Sequence, residues 1–210
     1  MPGGTRRHDR PGLQDEGGGV NLLDLDARWR RFNDPDRTCP CCGRSFSGVF
    51  DIGFDHPDAW PYGPALEGPE SQGGPELQVG DDKLGSDLCR LGEERFIRCL
   101  LPLPILGSDE VFHFGTWALV APGHFYTYLD AAFGEAEFDG CPALLANALP
   151  GFEDEDDVPC ILVPGPEGER PRLVAQDGPL KDAQDGGITF DQLLDLYAAS
   201  GQDIRPHLSQ

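Results

Sequence analysis

The chain has 210 residues, enough for one good core or two small ones, and its 28 Gly and 20 Pro imply many turns and an ordered part shorter than the whole. Its 16 Lys and Arg stand against 37 Asp and Glu, a net charge of −21. Such a surface repels phosphate backbones and anionic membranes, which argues against nucleic-acid or membrane binding through a basic face and points instead to basic protein partners or cations.

Residues 1–19 are rich in Gly, Arg and Asp with almost no apolar content, so a disordered tail is expected. No apolar h-region of a secretory signal is present there, and no apolar run is long enough to cross a bilayer. The expected compartment is the cytoplasm, where the seven cysteines (39, 41, 42, 89, 99, 141 and 160) stay reduced.

A short helix is expected within residues 20–36. Leu22, Leu25, Trp29 and Phe32 share a stripe, Asn21 can cap, Arg28, Arg30 and Arg31 suit the C-terminal end, and Asn33-Asp34-Pro35 stops it. The remainder reads as one α+β domain over 37–200 followed by a tail at 201–210. Phe50, Ile52 and Phe54 alternate as a short strand, and 61–82 is a Gly/Pro-rich loop insertion. Phe96–Leu101 reads as a strand that Pro102 and Pro104 push to an edge or a bend. Val111–Val120 is apolar on both faces and reads as a central strand.

Pro122-Gly123-His124 opens a helix carrying Phe125, Tyr128, Leu129, Ala132 and Phe133, and a shorter helix is expected from Pro142 to Ala148. Residues 160–163 and 172–175 read as a hairpin. The last helix has a Thr189/Gln192 capping box, a buried stripe of Phe190, Leu193, Leu194 and Tyr197, and a Gly201 stop. Strands with interspersed helices and no regular βαβ alternation predict an α+β fold with a mostly antiparallel sheet.

The stretch with most chemistry is Cys39-Pro40-Cys41-Cys42-Gly43. Two cysteines three apart can bite one ion, and Gly43 lets the turn close with backbone N–H groups aimed at sulfur. The metal reading assigns Cys39 and Cys42 as the pair of a structural zinc knuckle and Cys89, at the end of a short polar segment before a strand, as the third ligand. The fourth stays open among Cys41, Cys99, His56 and Asp87. The alternative is a reduced, metal-free turn whose cysteines simply pack. A thioredoxin-like dithiol would need its first cysteine at a helix N-terminus, and no helix follows this motif.

The remaining polar groups fix no reaction. His8 and His207 fall in expected tails, His113 reads as a hydrogen-bonded, partly buried residue of the central strand, and His124 as an exposed residue in the first turn of a helix. No nucleophile elbow, zincin motif or phosphate-binding glycine loop is present. Glu153–Asp157 lacks calcium-loop spacing and reads as a solvated loop or as a docking site for a basic partner. Trp60 and Tyr62 beside prolines read as packing or loop anchoring.

Several blocks in order give the chain a family likeness: CPCCG at 39–43, SDLC at 86–89, FIRCLLPLPILG at 96–107, FGTWALVAPGHFYTYL at 114–129 and NALPGF at 147–152. With Pro179, Leu180, Gln184 and Ile188 they resemble the bacterial domain-of-unknown-function family numbered two thousand one hundred and ninety-nine, over roughly residues 37–200. The family has no established activity, so the resemblance implies no reaction. It implies a C-x-x-C-G-x-x-H knuckle in which Phe46 stands where relatives carry the histidine, making Cys41 a substitute donor. A family His-Pro-Leu appears here as Gly178-Pro179-Leu180. The resulting expectation is an uncharacterised cytoplasmic protein, a non-enzymatic interaction domain with a structural zinc knuckle. Its alternatives are a metal- or cysteine-dependent enzyme, or an acidic immunity- or inhibitor-type protein.

Overall fold

The alternating apolar residues between Glu94 and Val120 pair with each other and organise everything else. In the computed structural model, which describes residues 21–63, 76–153 and 157–209, nine strands form one sheet. They are β1 (Ile52–Gly53), β2 (Leu77–Val79), β3 (Asp82–Leu84), β4 (Leu88–Leu91), β5 (Glu94–Pro104), β6 (Val111–Val120), β7 (Cys141–Leu145), β8 (Pro159–Val163) and β9 (Arg172–Ala175). The order is β1-β6-β7-β8-β9-β5-β4-β3-β2, and β5 also pairs with β6, so β5 to β9 close into a five-stranded barrel. Among the described strands, only β1–β6 and β5–β9 run parallel. The fold is α+β with a mostly antiparallel sheet, as expected.

Period-two burial explains the closure. Ile97, Cys99, Leu101 and Leu103 on β5 face Ala118, Thr116, Phe114 and Phe112 on β6, and all are buried. Cys141 and Ala143, Cys160 and Leu162, and Leu173 and Ala175 continue the set on β7, β8 and β9. Burying one face along the barrel strands leaves their register little freedom, because a one-residue slip would turn that face outward. Pro102 and Pro104 sit where β5 has an open second edge. Their carbonyls accept instead from Gln184 Nε2 at 3.2 Å and from the Ile188 N–H at 2.8 Å.

The helices are α1 (Ala27–Phe32), α2 (Pro122–Ala132), α3 (Gly178–Gly186), α4 (Phe190–Ala199) and α5 (Arg205–Leu208). The Thr189/Gln192 capping box of α4 is formed on both sides. Tyr197 reaches back from α4 to the segment before β1, donating to Phe50 O at 2.9 Å, accepting from Phe50 N at 3.1 Å and stacking on the Phe50 ring at 4.0 Å. A buried polar node ties the loop before β2 to the barrel. Asn147 Oδ1 accepts from Thr116 Oγ1 and Trp117 N at 2.9 and 3.0 Å, and its Nδ2 donates to His56 O and Asp58 Oδ1 at 3.0 and 2.9 Å.

Three expectations are corrected, and one helix was not foreseen. The helix within 20–36 is two pieces: a 3-10 turn at Leu22–Leu25 capped by Asn21, then α1 capped by Asp26. The break at Asp26 takes Leu22 and Leu25 off the stripe, leaving them 65% and 79% exposed while Trp29 and Phe32 are buried. The helix expected over 142–148 is instead strand β7, because β6 and β8 supply backbone partners on both of its sides and override the local preference of Ala and Leu. Helix α3 was not expected, although Asp177 caps it, a proline occupies its first turn and Gly187 ends it. Finally, residues 204–208 are not a tail: Ile204 and Leu208 are buried, and α5 packs on α1. The expected tail at 1–19 and the larger part of the 61–82 insertion lie outside the described residues, whereas Leu77–Val79 of that insertion forms β2 and its last residue, Asp82, opens β3.

Candidate metal centre

The turn at residues 39–43 is closed by its own backbone. Cys39 N donates to Arg44 O at 2.7 Å and Gly43 N to Cys39 O at 2.8 Å, while an antiparallel bridge joins Thr38 to Ser45. Gly43 has φ of +74°, a left-handed position that admits glycine without strain. The closure gathers the Cys39, Cys41 and Cys42 thiols on one side of the turn.

The fourth donor comes from the other end of the protein. Helix α5 is anchored by buried Ile204 and Leu208, and Arg31 Nη1 and Arg37 Nη1 donate to the carbonyls of Leu208 and His207 at 2.8 and 3.1 Å. His207 Nδ1 then lies 3.5, 3.5 and 3.4 Å from the Sγ atoms of Cys39, Cys41 and Cys42. Cys39 and Cys41 sulfurs are 3.0 Å apart, and all four donor atoms lie within 4.8 Å of one another. A tetrahedral zinc ion with Zn–S near 2.3 Å and Zn–N near 2.0 Å sets its donors roughly 3.5–3.8 Å apart. The observed spacings bracket that range, so the donor set fits zinc.

The thiols already differ in basicity. The contact with Cys41 holds the Cys39 thiol down at about 6, with help from His207 and Cys42. The same contact with Cys39, reinforced by desolvation and by Cys42, pushes Cys41 up to about 11. Cys39 is buried, whereas Cys41 and Cys42 are exposed. The cluster therefore sits at the surface with one sulfur inserted beneath it.

A family model described as an uncharacterized protein conserved in bacteria (DUF2199) matches residues 38–188, well over half of the chain. The chain belongs to that family. No curated protein and no solved structure matches it. The DUF2199 match contains three of the four donors and ends before His207. Phe46, the position at which the resemblance implied a histidine in relatives, lies with its ring 5.9 Å from that of His207. The nitrogen donor thus arrives beside that position from the C-terminal helix.

The structure brings Cys39 and Cys42 together and leaves Cys89 out of the cluster. Cys89 is buried in a second core with Trp60, Leu84, Phe96 and Trp117, where burial, then Asp82 and Glu94, push its thiol up to about 12. Its place is decided by strand alternation: on β4 it points to the same apolar face as its cross-strand partner Phe96. Of the open fourth donors, Cys41 joins the cluster. Cys99 is buried in the barrel with its thiol pushed up chiefly by burial. Asp87 pairs with Arg170 Nε at 2.6 Å, and His56 Nδ1 contacts Pro57 O at 2.9 Å. His113 is partly buried and hydrogen-bonded as expected, its Nδ1 3.4 Å from Asp51. His124 is exposed in the first turn of α2. Trp60 packs against Tyr62 and donates to Gly63 O at 2.7 Å.

The donor missed in the sequence is His207. The available signal was Ile204 and Leu208, an i,i+4 apolar pair that makes a one-turn docking helix and fixes the histidine between them.

Proposed function

We propose that the chain is a cytoplasmic, non-enzymatic protein-interaction domain in which Cys39, Cys41, Cys42 and His207 hold a structural zinc ion and the acidic surface docks a basic protein partner. The observation that carries the reading is the convergence of four nitrogen and sulfur donors within 4.8 Å. Four protein ligands fill a tetrahedral ion and leave no position for a reacting water, the mark of a structural rather than a catalytic site. The ion would link two segments 168 residues apart, which gives it a mechanical task in the fold. All seven cysteines are free, in keeping with a reducing compartment, and the described residues include no helix long and apolar enough to cross a membrane. The partner component rests on the net charge of −21.

Elemental analysis of protein purified without added metal tests the centre. About one zinc per chain is expected, and less than about a tenth overturns the reading. Cobalt substitution then separates structure from catalysis. A thiolate-rich tetrahedral spectrum unmoved by azide supports a closed site, whereas a spectrum that shifts with azide reveals an open position and an enzyme.

A further inference from the structure

Away from the cysteines, α3, α4 and the loop at 151–153 enclose a groove of about 630 Å³, a size typical of ligand sites. Its floor includes Phe152, Ile188 and Leu196, and its rim carries Glu153, Asp182 and Asp195. Among the described residues, no Lys or Arg lines it. Gly151 builds one wall: with φ of +82° it lets the loop lie on α4, where a Cβ would come within 2.5 Å of Leu196 Cδ2.

The charges around the groove are unevenly matched. Asp195 pairs with Arg205 from outside, and the nearest lysine, Lys181, is turned to Asp185 at 2.5 Å. Asp182 has no ion pair among the described residues. The three rim carboxylates do not converge as metal ligands do, because the grouping of metal-ligating atoms among the described residues is the cysteine cluster. Apolar surface continues past the groove at Leu106, whose Cδ2 lies 3.2 Å from the Cβ position of Gly187. Leu106 is itself exposed.

We propose that this groove docks a basic peptide segment of a protein partner, seating an apolar side chain on Phe152, Ile188 and Leu196 and pairing its Lys or Arg side chains with Glu153 and Asp182. The inference rests on the acidic-docking reading above and gives that reading a location. An apolar floor with a carboxylate rim selects a segment carrying both features. A purely apolar segment leaves the rim uncompensated, and an acidic one is repelled by it.

The test uses the full chain and three fluorescein-labelled twelve-residue peptides: one with leucines and lysines, one with glutamates replacing the lysines, and one with the leucines replaced by glycine. Anisotropy at low salt should show binding of the first peptide alone, and amide shifts on its addition should cluster at 151–153 and 182–196. Asp182→Lys should weaken binding about two- to fivefold, the scale of one exposed ion pair lost. Asp185→Lys makes the same charge change on α3 outside the groove and should have less than half that effect on the logarithm of affinity. Equal weakening by both variants, or equal binding of the leucine-free peptide, overturns the groove while leaving the acidic-docking reading intact. Failure of every lysine peptide to bind overturns both. Circular dichroism of the variants confirms the fold, since both positions are exposed on α3.

Discussion

Along β5 and β6, Ile97, Cys99, Leu101, Leu103, Phe112, Phe114 and Ala118 are all buried within one core, whereas residues 40–45 of the cysteine turn are all exposed. The barrel is held by apolar area removed from water and by strand pairing that closes on itself, so its stability is spread over many residues. The turn has two short backbone hydrogen bonds, one buried cysteine and three of the four candidate donors, the fourth being His207 from α5. Its order is concentrated in those donors. A region with little apolar content needs a few strong bonds, and a region with much apolar content needs none.

The largest expected effect separates the two regions outright. Cys42→Ser should lower zinc from about one equivalent per chain to below about a tenth, because apparent zinc-site energies of ~10 kcal/mol or more in small domains depend on all four ligands. Amide exchange should then lose protection at 38–45 and 205–209 while β5 and β6 stay protected. Loss of protection in the barrel as well would break the comparison. In the opposite direction, Leu101→Ala removes fully buried barrel volume and should cost about 2–5 kcal/mol by urea denaturation, with zinc stoichiometry unchanged in the folded fraction.

Smaller effects sharpen the boundary between the regions. Tyr197→Phe leaves the Phe50 N–H and carbonyl without their side-chain partner and should cost about 1–3 kcal/mol, again with zinc retained. The last prediction concerns pH. Zinc needs Cys39 and Cys41 as thiolates, and their ionisation lies near 6 and 11 respectively before the ion binds. At pH 7.5 only Cys41 of these two must give up a proton; below about 6, Cys39 must as well. Zinc affinity should therefore fall as pH falls, and the fall should become steeper below about 6, where Cys39 binds a proton as well. Chelator competition from pH 5 to 8 reads the slope. A slope that does not change across pH 6 would mean that the Cys39–Cys41 contact does not lower Cys39.

Much of the barrel was legible because period-two burial writes itself into the residues: 111–120 reads as a central strand, and 160–163 with 172–175 reads as a hairpin. The α4 capping box was legible for the same local reason. The strand at 141–145 was not, because Ala and Leu carry no preference strong enough to reveal the two neighbours that recruit it. Nor did spacing alone tell which third cysteine to choose. Cys89 precedes a strand-like run as a ligand would, but alternation on β4 turns it into the second core.

What the sequence by itself determined is whatever depends on neighbours a few residues away: the cysteine turn, the strand periodicity, the capped last helix and the strongly acidic balance. The tertiary structure decided what depends on contacts far apart along the chain. It closed the barrel by setting β5 against both β6 and β9, and it carried His207 to a turn 165 residues earlier. The physical reason is that a metal centre is defined by donor positions in space, and those positions follow from burial of Ile204 and Leu208 against α1, a docking that no local spacing records.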